Sequence, residues 1–250
     1  MRAENKGKSS WKWRSLLVVH LSILFGVLLF WFVRAPFNYI DRQAFTILNG
    51  WMDGKPFLQW FWALLNHRLV DWIGDGVMLL LFLVYICRKS YKKRLVRFAE
   101  MLLFVVCLSA VILFVNTYLF RHPLRFERKS PTLVVENSVR VHDTVRAIKV
   151  KDSSKHSFPG DHATTALLFA LFFTYFARLP LGFFGIGYGV LMSLPRLIVG
   201  AHWLSDVLVG SFSIALLFFS WVIFTPFYPI FLSIFSSRPS SLLVKKELVE

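Results

Sequence analysis

The chain has 250 residues, 56% of them hydrophobic, with 27 Phe and 9 Trp, and apolar runs on that scale exclude an ordinary soluble domain. The formal net charge is +15, but the basic residues are interleaved with apolar runs and no RNA- or DNA-binding motif is present. Membrane topology and anionic lipid account for that charge, and a nucleic-acid partner is excluded.

The pattern predicts an all-α integral membrane protein with six transmembrane helices. Residues 1–14 form a basic tail with Arg2, Lys6, Lys8, Lys12 and Arg14, placed in the cytoplasm. The run that follows, 15–33, is too long for a signal peptide and lacks a small-residue cleavage site, so it reads as the first span. The segment 43–66 is rich in aromatics (Phe45, Trp51, Phe57, Trp60, Phe61, Trp62) and interrupted by Gly50, Gly54 and Pro56, so it reads as interfacial. Spans at 70–87 and 98–120 flank a loop, 88–97, with six basic residues, which also faces the cytoplasm. Cys87 and Cys107 lie in these spans as small apolar fillers, and no disulfide framework is implied.

Residues 121–160 fall on the outer side by alternation, yet carry nine basic residues: Arg121, Arg125, Arg128, Lys129, Arg140, Arg146, Lys149, Lys151 and Lys155. An outer basic loop runs against the usual charge bias, and binding a phosphorylated ligand is one demand that explains it; a solvated loop touching anionic lipid is the plainer one. Spans at 161–178, 181–199 and 203–226 complete a membrane catalytic domain over 15–226. The tail 227–250, with Arg238, Lys245 and Lys246, returns to the cytoplasmic side or its interface.

Two outer segments carry chemistry. In Ser157-Phe158-Pro159-Gly160-Asp161-His162 the Pro-Gly pair signals a turn and Asp161 is a candidate N-cap for the next helix. Ser157 and the free amides of that helix start, Gly160 among them, suit phosphate oxygens, and His162 is placed to protonate a leaving oxygen. The plain alternative is an ordinary polar cap. In Pro195-Arg196-x5-His202-x3-Asp206, a carboxylate four residues after a histidine shares its helix face and can fix the ring tautomer, leaving the other nitrogen to attack. Arg196 follows a proline at a span end, where a guanidinium grips phosphate in two-point fashion or simply snorkels to the interface. Arg121 and Arg128 are seven apart, two helical turns, but Pro123 interrupts a continuous helix. A metal held by His162, His202 and Asp206 is disfavoured, because the arginines already supply positive charge. No Walker motif, HExxH or cysteine-metal spacing appears.

These residues resemble the type-2 phosphatidic acid phosphatase superfamily, membrane enzymes related in core to vanadium haloperoxidases. Its motifs read K-x6-R-P, P-S-G-H and S-R-x5-H-x3-D. Here Arg121-x6-Arg128 stands for the first, with its proline displaced to Pro131; Pro159-Gly160-Asp161-His162 for the second; and Pro195-Arg196-x5-His202-x3-Asp206 for the third. The resemblance implies His202 as the phosphohistidine nucleophile, Asp206 as its orienter, His162 as acid/base and the arginines as phosphate ligands, with no cofactor and no metal. The style of Arg128-Lys-Ser-Pro-Thr-Leu and Gly200-Ala-His-Trp is similar to the bacterial subgroup that phosphorylates lipid A. That subgroup implies a donor, undecaprenyl diphosphate, an acceptor, the 1-phosphate of lipid A, and a periplasm-facing site in the inner membrane. An undecaprenyl diphosphate phosphatase would use the same parts with water as acceptor. A non-catalytic lipid-binding protein would have no need of the histidines.

Overall fold

The structure, a computed structural model, describes residues 2–34, 38–88, 90–179 and 181–235. The basic residues Arg238, Lys245 and Lys246 lie outside them. Among the described residues the fold is helical with no strand; a lone parallel bridge joins Arg128 to His156. Helix α1 is Arg2–Arg34, α2 Asn38–Gly50, α3 Pro56–Leu65 and α4 Arg68–Cys87. Helix α5, Tyr91–Ala110, continues as a wide π-helical stretch over Val111–Leu119. After a single 3-10 turn at Pro131–Leu133 come the short α6, Val141–Thr144, then α7, Asp161–Ala177, and α8, Gly182–Ile198. A second π-helical stretch, Asp206–Ser211, leads into α9, Phe212–Phe224, and α10 is Phe227–Ser233.

Each expected span falls on a helix, with α1 and α5 starting well before the expected bounds, but the helices differ in reach. Three are long and apolar enough to cross a membrane: Arg68–Cys87, Lys93–Leu119 and Asp206–Phe224. The apolar parts of α1 and α8, Trp13–Leu29 and Gly182–Ile198, are shorter. The basic N-terminal segment is not a separate tail, because α1 runs through it. The aromatic segment forms two helices, α2 and α3, of 13 and 10 residues, each too short to span.

Helix α7 is the hub. Its buried residues point in every direction (Ala163, Ala166, Leu168, Phe169, Phe172, Phe173 and Phe176 among them), as expected of a helix enclosed by others. Helix α8 approaches it along small residues, Gly182, Gly185 and Gly189. A Cβ at Gly182 would stand 3.0 Å from the Thr174 Cα, and one at Gly185 would stand 3.3 Å from the Phe173 ring. Around this hub an aromatic core fills the bundle. Phe82 and Phe104 meet Phe169 edge-on at centroid distances of 5.5 and 5.8 Å. Helices α8 and α9 both pack on α7 and splay from one another, leaving between them a cavity of about 610 Å³ lined by Leu171, Val190, Leu194, Leu197, Leu208 and Phe212.

The long loop 121–160 is knitted rather than loose. Ser130 and Ser154 exchange hydrogen bonds at 2.7–3.1 Å, and the Thr132 hydroxyl donates to the Asp152 carbonyl at 2.6 Å. The buried face of α2 (Asp41, Phe45, Asn49) lies over this loop and the α8–α9 turn, where Asn49 Nδ2 donates to the Val139 and Ile198 carbonyls at 3.1 Å each.

Candidate active site

The α8–α9 turn builds the site. Pro195 lies inside the last turn of α8, and the Arg196 carbonyl accepts from Ala201 N at 3.0 Å, closing the helix. Gly200, with φ +81°, reverses the chain there; a Cβ would stand 2.6 Å from Phe45 and 2.7 Å from Thr132, so only glycine fits. The reversal sets His202 in a bend just ahead of the second π-helical stretch. His202 and Asp206 therefore do not share a helix face as their spacing implies; the ring Nδ1 lies 3.9 Å from Asp206 Oδ2.

What orients the ring directly is main chain. The His202 Nδ1–H donates to the Ser157 carbonyl at 2.6 Å, and a carbonyl only accepts, so Nδ1 carries the proton and Nε2 holds the lone pair. Nε2 faces Gly160, where an added Cβ would come within 3.4 Å of it. Burial holds the His202 ring below the ordinary histidine range, against the opposing pull of the Asp206 carboxylate and the Ser157 carbonyl. Burial thus favours the neutral ring, with its lone pair on Nε2.

Ser157 is fully buried; its amide donates to the Arg128 carbonyl at 2.8 Å, and its hydroxyl makes no well-formed hydrogen bond. Gly160 is the N-cap of α7, and Asp161 is the first helical residue rather than the cap its chemistry suggests. The cause is a different partner: the Asp161 carboxylate accepts from Asn116 Nδ2 at 3.0 Å, out of the first π-helical stretch. No side chain caps the first α7 amides, which open toward His202. Both π-helical stretches touch the site, where such wide turns concentrate.

Asp206 is wholly buried and does three things. It receives the Trp203 amide at 2.8 Å, takes a hydrogen bond from Arg128, and supplies negative charge beside His202. The other side of the Arg128 guanidinium donates to Asp41 Oδ2 at 2.6 Å. Asp41 also binds the Ser205 hydroxyl and, at 2.9 Å, the Ser205 amide. Arg196, 7% exposed, donates to Asp71 of α4 and, at 3.4 Å, to the Leu65 carbonyl. The second Asp71 oxygen lies 3.1 Å from His162 Nε2. His162, half exposed, borders a polar pocket of about 190 Å³ shared with Asp71, Asp75, Asp161 and Tyr188.

The structure therefore gathers His202, Asp206, His162, Arg196, Arg128, Ser157, Gly160 and Asp161, out of three separate stretches. It does not gather Arg121, which stands exposed past the first π-helical stretch and makes no hydrogen bond or ion pair within the described residues. The chain breaks from helix after it at Pro123, so the seven-residue spacing does not bring Arg121 beside Arg128. Sequence reasoning missed Asp41, Asp71, Asn116 and Ser205. Asp71 carried a signal, as an acid within an apolar run. Asp41 carried another, since Asp41, Phe45 and Asn49 follow at intervals of four on one face of α2.

Helices of this apolarity around a cluster of histidines, arginines and carboxylates define a class: a membrane enzyme that handles phosphoryl groups on lipids. The PAP2 superfamily model matches residues 121–229, the stretch that carries every one of the motif residues. The chain is also 32% identical over 216 residues to the lipid A 1-diphosphate synthase of Escherichia coli (strain K12), covering 84% of this chain and 87% of that protein. It belongs to the PAP2 superfamily of lipid phosphatases and phosphotransferases. No solved structure matches it.

Proposed function

We propose that this enzyme transfers a phosphoryl group from undecaprenyl diphosphate to the 1-phosphate of lipid A, at the periplasmic face of the bacterial inner membrane. His202 Nε2 attacks the terminal phosphorus of the donor. The bond to undecaprenyl phosphate breaks, and His162 gives its proton to the leaving oxygen. The acceptor phosphate then attacks phosphohistidine, and the N–P bond breaks in turn. Arg196, Arg128, the Gly160 and Asp161 amides and Ser157 hold the phosphoryl oxygens; phosphoryl transfer is mostly positioning and charge neutralisation of this kind. Arg196 spends two hydrogen bonds on Asp71 and Leu65 and has five donors, so it retains N–H groups for phosphate.

The observation that carries the reading is the His202 ring: Nδ1 tied to Ser157, Nε2 aimed at the uncapped start of α7. The similarity to a lipid A 1-diphosphate synthase supports the acceptor. In this reading α1, α4, α5, α7, α8 and α9 all cross the bilayer, and α2–α3 lie in its outer interface with Trp51, Phe57 and Trp60 exposed to lipid. Residues 121–160 then form the periplasmic loop, and the donor's chain enters sideways from the membrane.

One observation favours hydrolysis instead. The polar pocket beside His162 has room for water, which would make the enzyme an undecaprenyl diphosphate phosphatase. Purified protein given terminally labelled undecaprenyl diphosphate, with and without lipid A, separates the two. Label on lipid A supports transfer. Inorganic phosphate released at one rate in both tubes refutes it.

A further inference from the structure

We infer that Asp71, which no motif includes, is the positioning residue that lets His162 work first as acid and then as base. The inference rests on the phosphohistidine reading above. Asp71 sits in the first turn of α4, on neither of the helices that carry the motif histidines. Its carboxylate is held between two groups: Arg196 on one oxygen and His162 Nε2, 3.1 Å away, on the other. A carboxylate paired with a guanidinium is ionised and only accepts, so His162 Nε2 keeps a hydrogen in both ring states.

That leaves His162 Nδ1 as the nitrogen that exchanges protons. In the first half-reaction the P–O bond of the donor breaks with its electron pair on the leaving oxygen, and the Nδ1 proton goes to that oxygen. The ring is then neutral, with its remaining proton on Nε2 facing Asp71 and a lone pair on Nδ1. In the second half-reaction this lone pair takes the proton of the attacking acceptor phosphate, and the ring returns to its starting state. Without Asp71 the neutral ring has no reason to prefer the tautomer with Nδ1 unprotonated, and half of its orientations present the wrong nitrogen. Because Arg196 shares the same carboxylate, acid and phosphate ligand are also held at a fixed separation. The α3–α4 junction reinforces this, with Asn66 Nδ2 donating to the Pro195 carbonyl at 3.1 Å.

The test measures phosphoenzyme formation from labelled undecaprenyl diphosphate, in full-length protein in detergent, for Asp71→Asn, Asp71→Glu, His162→Gln and the Asp71→Asn/His162→Gln pair. Asp71→Asn lowers kcat by about 10- to 100-fold, a part of what acid–base catalysis contributes, while KM changes by less than about threefold. Asp71→Glu recovers most of the loss. In the His162→Gln background, Asp71→Asn costs less than about threefold more, because its partner is already gone. An equal penalty in both backgrounds, or a loss confined to KM, overturns the role of Asp71 and leaves the His202 reading standing. Failure of the unmodified protein to form phosphohistidine overturns both.

Discussion

The two halves of the bundle are buried by opposite means. The half around Phe169 and Phe173 is aromatic: rings from α4, α5, α7 and α8 meet at centroid distances of 5.0–5.8 Å. Its buried acid, Glu100, accepts from the Tyr85 and Tyr228 hydroxyls at 2.6 and 2.7 Å. The half around His202 is a lattice of ion pairs, with Arg128 between Asp41 and Asp206 and with Arg196 on Asp71. In the first half a phenylalanine can be replaced at the expense of packing alone. In the second, each removal leaves a partner charged and unmatched. Both halves therefore stabilise the fold, one by packing and the other by paired charge, and the second also holds the candidate site.

The sharpest break of that division is His202→Ala. It abolishes phosphoenzyme formation, a loss of about 10⁴-fold or more, with no fall in the unfolding midpoint. In the unmodified protein, burial keeps the His202 ring neutral into mild acid, so the rate of phosphoenzyme formation stays up as pH falls below about 6.5, the ordinary histidine value, and an acid limb centred at or above that value contradicts the buried-ring account. Next comes Asp41→Ala, at the residue that binds both Arg128 and Ser205. It lowers activity about 100-fold and also destabilises the fold by about 3–5 kcal/mol, the range for breaking a buried pair. Loss of activity with no change in midpoint would place Asp41 in the chemistry rather than its support. Phe169→Ala should show the converse: a cavity cost of about 3–5 kcal/mol in denaturation, with activity per folded molecule unchanged. The smallest effect is expected of Arg121→Ala, within about 0.5 kcal/mol of stability and a twofold change in rate. A tenfold rise in donor KM would return Arg121 to the phosphate site.

Much of this was legible in the sequence, for identifiable reasons. Length and apolarity alone locate the helices, because a bilayer leaves the backbone few other ways to satisfy itself. The third motif also reads directly, since Arg196, His202 and Asp206 lie within one turn-and-helix unit. Three things did not read. The i,i+4 spacing implied that Asp206 hydrogen-bonds the His202 ring, but the bend at Gly200 gives that bond to Ser157, a carbonyl no side-chain pattern reveals. Asp161 looked like a cap, and Asn116, 45 residues earlier, diverted it. Asp41 and Asp71 bond to partners 87 to 164 residues away, so only the assembled bundle displays them.

The Asp41 bonds bear on how the molecule is made. Its partners Arg128 and Ser205 follow it by 87 and 164 residues. A chain made from its N-terminus therefore presents Asp41 well before either partner exists. The bonds close when the α8–α9 turn arrives, which is also when His202 arrives. The last anchor of Asp41 and the His202 ring thus reach the site on the same turn of chain.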